Sequence, residues 1–283
     1  MRDLALLMIK PDGVRQRLTD TVLAFLARRG FTALATEDVL LTPDLRARLY
    51  ATTRSGGRLD WELNAVLYTL GPVTAVLLRG PSGDGGAAAC LSGRLKGHFL
   101  PTRAAPGSLR GDLNAMNPIF NLVHASDDED EVARELPVLF GRPVRDVLRD
   151  GQVAASARAR PINHWRTVGD TVAALLGDGD GDLSGRRQLD TAGWPDNDTD
   201  RIAAYRAVRR AREALSAAAD RRHLARTAGL PALIAGDEKN LPGLAQFSAA
   251  CRALANPPDV WATYLTYTSL RYLDLCLEIP HEQ

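Results

Sequence analysis

The residues whose types and order could do chemistry gather in Asn121-Leu122-Val123-His124-Ala125-Ser126-Asp127-Asp128. A short apolar run ends at His124, and Ser126 to Asp128 are good helix N-caps ahead of the amphipathic run Glu131 to Phe140. The histidine thus falls where a strand gives way to a helix. Such junctions leave side chains facing solvent at a sheet edge, and the N–H groups of a helix start favour anions nearby. A neutral imidazole there can accept a phosphoryl group and pass it on, splitting one transfer into two displacements. The competing reading is a structural histidine satisfied by its neighbours. Two further segments favour the chemistry: Lys10-Pro11-Asp12-Gly13, directly after an apolar run, and Pro106-Gly107-Ser108-Leu109-Arg110-Gly111-Asp112, just upstream of the histidine. Each brings a cation suited to phosphate oxygens.

These residues need elements to hold them. Leu4 to Ile9 is a fully apolar strand, and Thr19 to Arg29 places Val22, Leu23, Leu26 and Ala27 on one helical face. Phe31 to Leu41 alternates as a strand, Pro43 opens a short helix through Tyr50, Leu59 to Leu70 has helical periodicity, and Val73 to Leu78 is another buried strand. A helix near Ala87 to Leu95, a long loop Gly97 to Asn117, a strand Ile119 to Val123 and the closing helix complete a ferredoxin-like βαββαβ plan, an α+β fold with an antiparallel sheet.

With the three motifs in this order, the first half of the chain resembles the nucleoside diphosphate kinase family, which uses that fold. The resemblance makes His124 the phosphorylated histidine, with Glu135 the acid that orients its ring and Ser126 the hydroxyl supporting that acid. It makes Lys10 a phosphate-binding lysine, Arg94 and Arg110 the two phosphate-clamping arginines, Asn121 the asparagine at the sugar and phosphate end of the nucleotide, and Tyr50 the tyrosine beside the histidine. It implies ATP as phosphoryl donor and Mg2+ carried mainly by the nucleotide, with no metal cage built by the protein. Asp127 has two readings, helix capping or help with the magnesium ion.

The sequence departs from the family pattern around the nucleotide. Where the family reads Gly-x-Thr-Asn/Asp-Pro, this chain reads Gly97-His98-Phe99-Leu100-Pro101, and Arg94 to Gly97 is one residue shorter. The segment from Asp112 to Asn121 is one residue longer and lacks Gly-Arg before the asparagine. A base-stacking phenylalanine gives way to Leu59-Asp60-Trp61, so Trp61 and Phe99 are candidate nucleotide contacts, core packing being the other reading of Trp61. His-Gly-Ser-Asp has become His124-Ala125-Ser126-Asp127, harmless unless that position needs a positive φ. An unusual nucleotide or a non-nucleotide acceptor therefore stays open.

The resemblance ends near Phe140 to Pro143. Residues 1–142 form one expected domain, 143–160 a linker and 161–283 an all-helical domain of unassigned role. Its helices are expected over Asn163 to Leu176, Thr199 to Ala228, Leu230 to Ala235, Leu241 to Ala255 and Val260 to Ile279, with a Gly- and Asp-rich loop from Gly177 to Asp200 that partly imitates a calcium loop at Asp180 to Gly185.

A length of 283 residues and a 45% hydrophobic share suit two domains with real cores. A net charge of +1 gives no whole-chain case for nucleic acid. Cys90, Cys251 and Cys276 have no metal-ligand spacing and suit a cytoplasmic protein, and no apolar run nears the roughly 20 residues that span a bilayer. The expectation is a phosphotransferase working by ping-pong through phospho-His124 on nucleotide substrates, as a homo-oligomer. The alternative is a regulatory protein on the same fold that binds nucleotide and turns it over weakly.

Overall fold

The computed structural model describes residues 1–52, 61–81, 83, 85–154, 162–177, 201–220 and 242–277. Expectations for the loop at 178–200, including its calcium-like stretch, and for the helix at 230–235 lie outside the described residues.

Chain packing divides the protein into two units, the first Met1–Ala115 with Ile119–Ile162, the second Met116–Pro118 with Asn163–Gln283. The first is built on a four-stranded sheet in the order β2-β3-β1-β4, with every neighbouring pair antiparallel. Its elements are β1 (Leu4–Ile9), α1 (Pro11–Arg15), α2 (Thr19–Ala27), β2 (Thr32–Val39), α3 (Pro43–Leu49), α4 (Trp61–Thr69), β3 (Val73–Arg79), α5 (Gly86–Cys90), α6 (Leu109–Asp112), β4 (Val123–Ala125), α7 (Glu129–Phe140) and α8 (Val144–Asp150). This is the expected ferredoxin-like sheet, with α3 and α4 inserted between β2 and β3 of the βαββαβ plan. Residues 144–150, inside the stretch expected to link two domains, form α8, whose Val147 is buried in the first unit's core.

The central strand β1 is buried at all six positions, as an unbroken apolar run requires, and its neighbours β3 and β4 place Val76 and Ala125 opposite Leu7. In β2 the register slips between Ala33 and Ala35. One extra residue there puts Ala33 and Ala35, opposite the adjacent Leu78 and Leu77, on different faces, and Ala35 is buried while Ala33 is only partly so. Helix α7 packs on β1. Its buried positions Val132, Glu135, Leu136 and Leu139 recur at helical spacing, so the one carboxylate among them is carried into the interior.

Two local expectations are corrected. The strand foreseen at Ile119 to Val123 pairs only from Val123 onward, because Leu122 has φ +72. Its N–H goes to Asp12 Oδ2 at 2.8 Å and its carbonyl accepts from Lys10 N at 2.8 Å, so no ladder partner remains for it. The helix foreseen near Ala87 to Leu95 begins as α5 and continues as a π-helical turn over Leu91–Leu95.

The described helices of the second unit are α9 (His164–Gly177), α10 (Arg201–Asp220), α11 (Pro242–Arg252), α12 (Val260–Arg271) and α13 (Leu273–Leu277). Trp165, Val168, Val172 and Leu175 of α9 are buried on the expected stripe, as are Tyr264, Tyr267, Leu270 and Leu273. On α10, Tyr205, Val208 and Leu215 are buried, but Ile202 is largely exposed, contrary to the stripe expected from its spacing. Arg212 of its polar face pairs with both carboxylate oxygens of Asp274, at 2.8 and 2.7 Å. Cys251 and Cys276 are buried free thiols, pushed up to about 11 and about 12 by burial, and Cys90 is half-buried. No described helix is long and apolar enough to cross a membrane.

Candidate active site

His124 is the middle residue of β4, opposite Met8, and its side chain keeps 18% of its surface exposed. Ala125, where the family pattern has glycine, is ordinary strand without positive φ, so the methyl group meets no backbone penalty. The next turn brings in α7. Asp128 caps that helix, accepting from Glu131 N at 2.8 Å, so Asp127 is not the cap. Asp127 instead accepts from Lys96 Nζ at 2.9 Å and from the Ser92 hydroxyl.

Nearly two turns into α7, Glu135 points at the imidazole. Its Oε2 lies 2.9 Å from His124 Nε2 and accepts from Ser126 Oγ at 2.7 Å, while Oε1 accepts from Arg134 Nη2 at 2.8 Å. Arg134 is fixed in turn by donating to the carbonyls of Arg48 and Leu49. Burial would raise the Glu135 carboxyl, but the hydrogen bonds and charges of His124, Ser126 and Arg134 outweigh it and hold the group below its ordinary range. Glu135 is therefore an ionised acceptor at neutral pH, so the hydrogen between it and the ring belongs to Nε2. That leaves Nδ1 as the ring nitrogen carrying the lone pair.

Tyr50 packs edge-on against the imidazole, with ring centroids 5.1 Å apart. Its hydroxyl meets that of Tyr68, and burial raises both phenols above their ordinary value. Trp61 packs edge-on against Tyr50 at 5.5 Å and carries the Arg46 guanidinium over its ring at 4.0 Å.

A second group is formed by Lys10, Arg110 and Asn121, all buried. Lys10 Nζ donates to Asn121 Oδ1 at 2.9 Å and to Ile119 O at 2.5 Å. Arg110 donates to Asn121 O at 3.1 Å, Val123 O at 2.6 Å and Gly97 O at 3.1 Å, gripping the backbone that leads into His124. Burial lowers Lys10 to about 8 and Arg110 to about 10. Behind Lys10, Asp12 is raised by burial, which its neighbouring ammonium offsets only in part. Two cations taken out of water beside few acids make a place where an anion is worth more than at the surface.

The structure thus brings His124, Glu135, Ser126 and Tyr50 together, and separately joins Lys10, Arg110 and Asn121 through the chain that enters β4. It does not add the other two phosphate and base candidates. Arg94 is exposed on the π-helical turn with no hydrogen bond or ion pair among the described residues, and Phe99 stacks on His98 at 4.7 Å. Sequence reasoning missed Arg134 and Lys96. Arg134 directly precedes Glu135, and Lys96 lies in the shortened Arg94 to Gly97 interval; Lys96 Nζ also reaches Ala125 O at 3.5 Å. Among the described residues no group of three or more His, Cys, Asp or Glu could hold a metal ion.

The family profile "Nucleoside diphosphate kinase" matches residues 3–143. A nucleoside diphosphate kinase of Moorella thermoacetica is 38% identical over 133 residues, 47% of this chain and 90% of that protein. One of Mycolicibacterium vanbaalenii is 36% identical over 141 residues, 50% of this chain and 98% of that protein. Among solved structures, a nucleoside diphosphate kinase family protein from Babesia bovis aligns with TM-score 0.41 and 27% identity over 48% of this chain and 86% of its own.

Proposed function

The chain belongs, through residues 3–143, to the nucleoside diphosphate kinase family of phosphotransferases, and we propose that within it His124 carries the phosphoryl group from a nucleoside triphosphate to a nucleoside diphosphate. The observation that carries this reading is the bond of His124 Nε2 to an ionised, buried Glu135. The lone pair of Nδ1 attacks the γ-phosphorus, and the bond from that phosphorus to the β–γ bridging oxygen breaks with its electron pair leaving on the diphosphate. In the return step a terminal oxygen of the acceptor diphosphate attacks, the N–P bond breaks, and its electrons restore the imidazole. Glu135 stays ionised throughout and steadies the ring as it becomes cationic.

Such a transfer asks the protein chiefly for position and charge. Lys10 has three N–H donors, two of them on Ile119 and Asn121, so the third is available to a phosphate oxygen. Arg110 adds charge beside it and fixes the approach to β4. These groups fit the anionic phosphates of a nucleotide rather than a bare cation, so Mg2+ would be held by the phosphates of the substrate and would supply part of their charge neutralisation. Asp127, with Oδ1 already on Lys96, is at most a neighbour of that ion. Trp61, packed edge-on against Tyr50, is the aromatic residue placed to meet the base, while Phe99 is engaged by His98. The unit built on the four-stranded sheet, α8 included, is the catalytic portion, the helical unit from Asn163 is the appendage, and a homo-oligomer in the cytoplasm is the assembly the family suggests.

The test is to incubate the protein with γ-labelled ATP and magnesium, without acceptor, and to look for acid-labile, base-stable label on wild type and on His124→Ala. Label on wild type alone is expected, and a panel of labelled-acceptor assays then separates nucleoside diphosphates from any non-nucleotide acceptor. Nucleotide binding without label on wild type would refute the reading and leave a binding protein.

A further inference from the structure

The segment between Asp112 and Asn121, where the chain departs from the family pattern, does not stay within the first unit. Met116–Pro118 belongs to the helical unit. Asn117 is fully buried there, and its Nδ2 donates to Thr268 Oγ1 at 3.1 Å and Ser269 Oγ at 3.3 Å, both on α12. The Thr268 hydroxyl lies 3.0 Å from Tyr264 O and 3.1 Å from Leu265 O. Its single hydrogen is therefore committed to its own helix, and its lone pairs face Asn117. The carbonyl of Met116 accepts from the buried Tyr205 hydroxyl of α10. Side chains from two helices thus hold two consecutive loop residues, Met116 and Asn117.

Two residues beyond Asn117, Ile119 offers Lys10 its carbonyl, and two beyond that Asn121 offers its side chain. Leu122 then makes its left-handed turn against Asp12. At about 3.5 Å per residue, only about 7 Å of chain separates Asn117 from Ile119. Such a tether has little slack, so a shift at Asn117 is passed to the carbonyl that aims Lys10.

We propose that Asn117 is a positioning residue for nucleotide phosphate binding: held by Thr268 and Ser269, it sets Ile119 O against Lys10 and makes the helical unit a working part of the phosphate-binding loop. This rests on the reading of Lys10 as a phosphate ligand. It also gives the helical half of the chain a role in the reaction.

The experiment compares full-length wild type with Thr268→Val/Ser269→Ala, which removes both acceptors, and with Thr268→Ser, which keeps them. The double variant should raise the ADP Kd and the nucleotide KM by roughly three- to tenfold, the worth of one buried hydrogen bond, with kcat within about twofold. Thr268→Ser should match wild type. Unchanged Kd and KM in a folded double variant overturn the proposal. Because Kd needs no turnover, an inactive wild type that binds ADP would sink the phosphohistidine reading while this comparison still decides. If the double variant does not fold, native-state hydrogen exchange on wild type in low urea replaces it. The Leu122 amide should then lose protection together with α12, and retention of β1-like protection after α12 has exchanged overturns the proposal.

Discussion

Replacing Glu135 by glutamine tests the logic of the site at one position. The carboxylate is almost wholly buried and serves three donors, His124 and Ser126 on Oε2 and Arg134 on Oε1. Glutamine keeps the shape but has only one acceptor oxygen. If that oxygen faces His124, the amide N–H2 is turned against the Arg134 guanidinium, donor against donor. If it faces Arg134, the amide donates to Nε2, the ring hydrogen moves to Nδ1, and the lone pair needed for attack is lost. Either way one charge-assisted hydrogen bond disappears, worth about 1.5–3 kcal/mol. The rate of phosphoenzyme formation should fall by about tenfold to 150-fold. Rapid-quench labelling with γ-labelled ATP reads the rate, and a thermal melt shows that the variant is folded. Labelling within twofold of wild type in a folded variant would refute the claim that Glu135 sets the tautomer.

Lys10 makes nucleotide binding depend on pH. With its value lowered to about 8 by burial, the ammonium persists below that pH and is lost above it. The nucleotide KM should therefore climb between pH 8 and 9.5, by at most about tenfold per unit for one linked proton, while Lys10→Met binds weakly at every pH. A wild-type KM that stays level through pH 9.5 would sink this assignment. The same shift makes folding more favourable as pH rises from about 8 towards the unfolded value of about 10.4, because in that window the unfolded chain holds the extra proton. Gly97→Ala should cost about 2 kcal/mol of stability. Gly97 has φ +85, and an added Cβ would sit 2.5 Å from Ser108 Oγ and 3.2 Å from Arg110 Cβ. A urea midpoint equal to wild type would show that the loop gives way without strain.

The sheet and the His124–Glu135 pair were legible because their signals are local and periodic. Leu4 to Ile9 is apolar at every position and could only be a strand covered on both faces; the run ahead of Phe140 repeats at helical spacing and carries Glu135 on its inner stripe. His124 at the strand end and Glu135 eleven residues later were therefore bound to meet across one strand–helix corner. The order of the motifs alone makes Lys10, Arg110 and Asn121 candidates.

Other features were set by partners far apart in the chain. Leu122 turns left-handed because Asp12 and Lys10, more than a hundred residues earlier, take its backbone groups, and no propensity of a leucine announces that. Asp127 looked as good a cap as Asp128, and the choice fell on Lys96 and Ser92 arriving beside it. Arg94, in motif order, ends exposed on a π-helical turn, while Lys96 lies against the backbone of β4. The loop residues Met116–Pro118 read as ordinary connection and prove to be bound into the helical unit by Thr268, Ser269 and Tyr205. Periodicity determines which face of an element is buried; which donor meets which acceptor depends on how those faces pack, and that is decided only when the chain is folded.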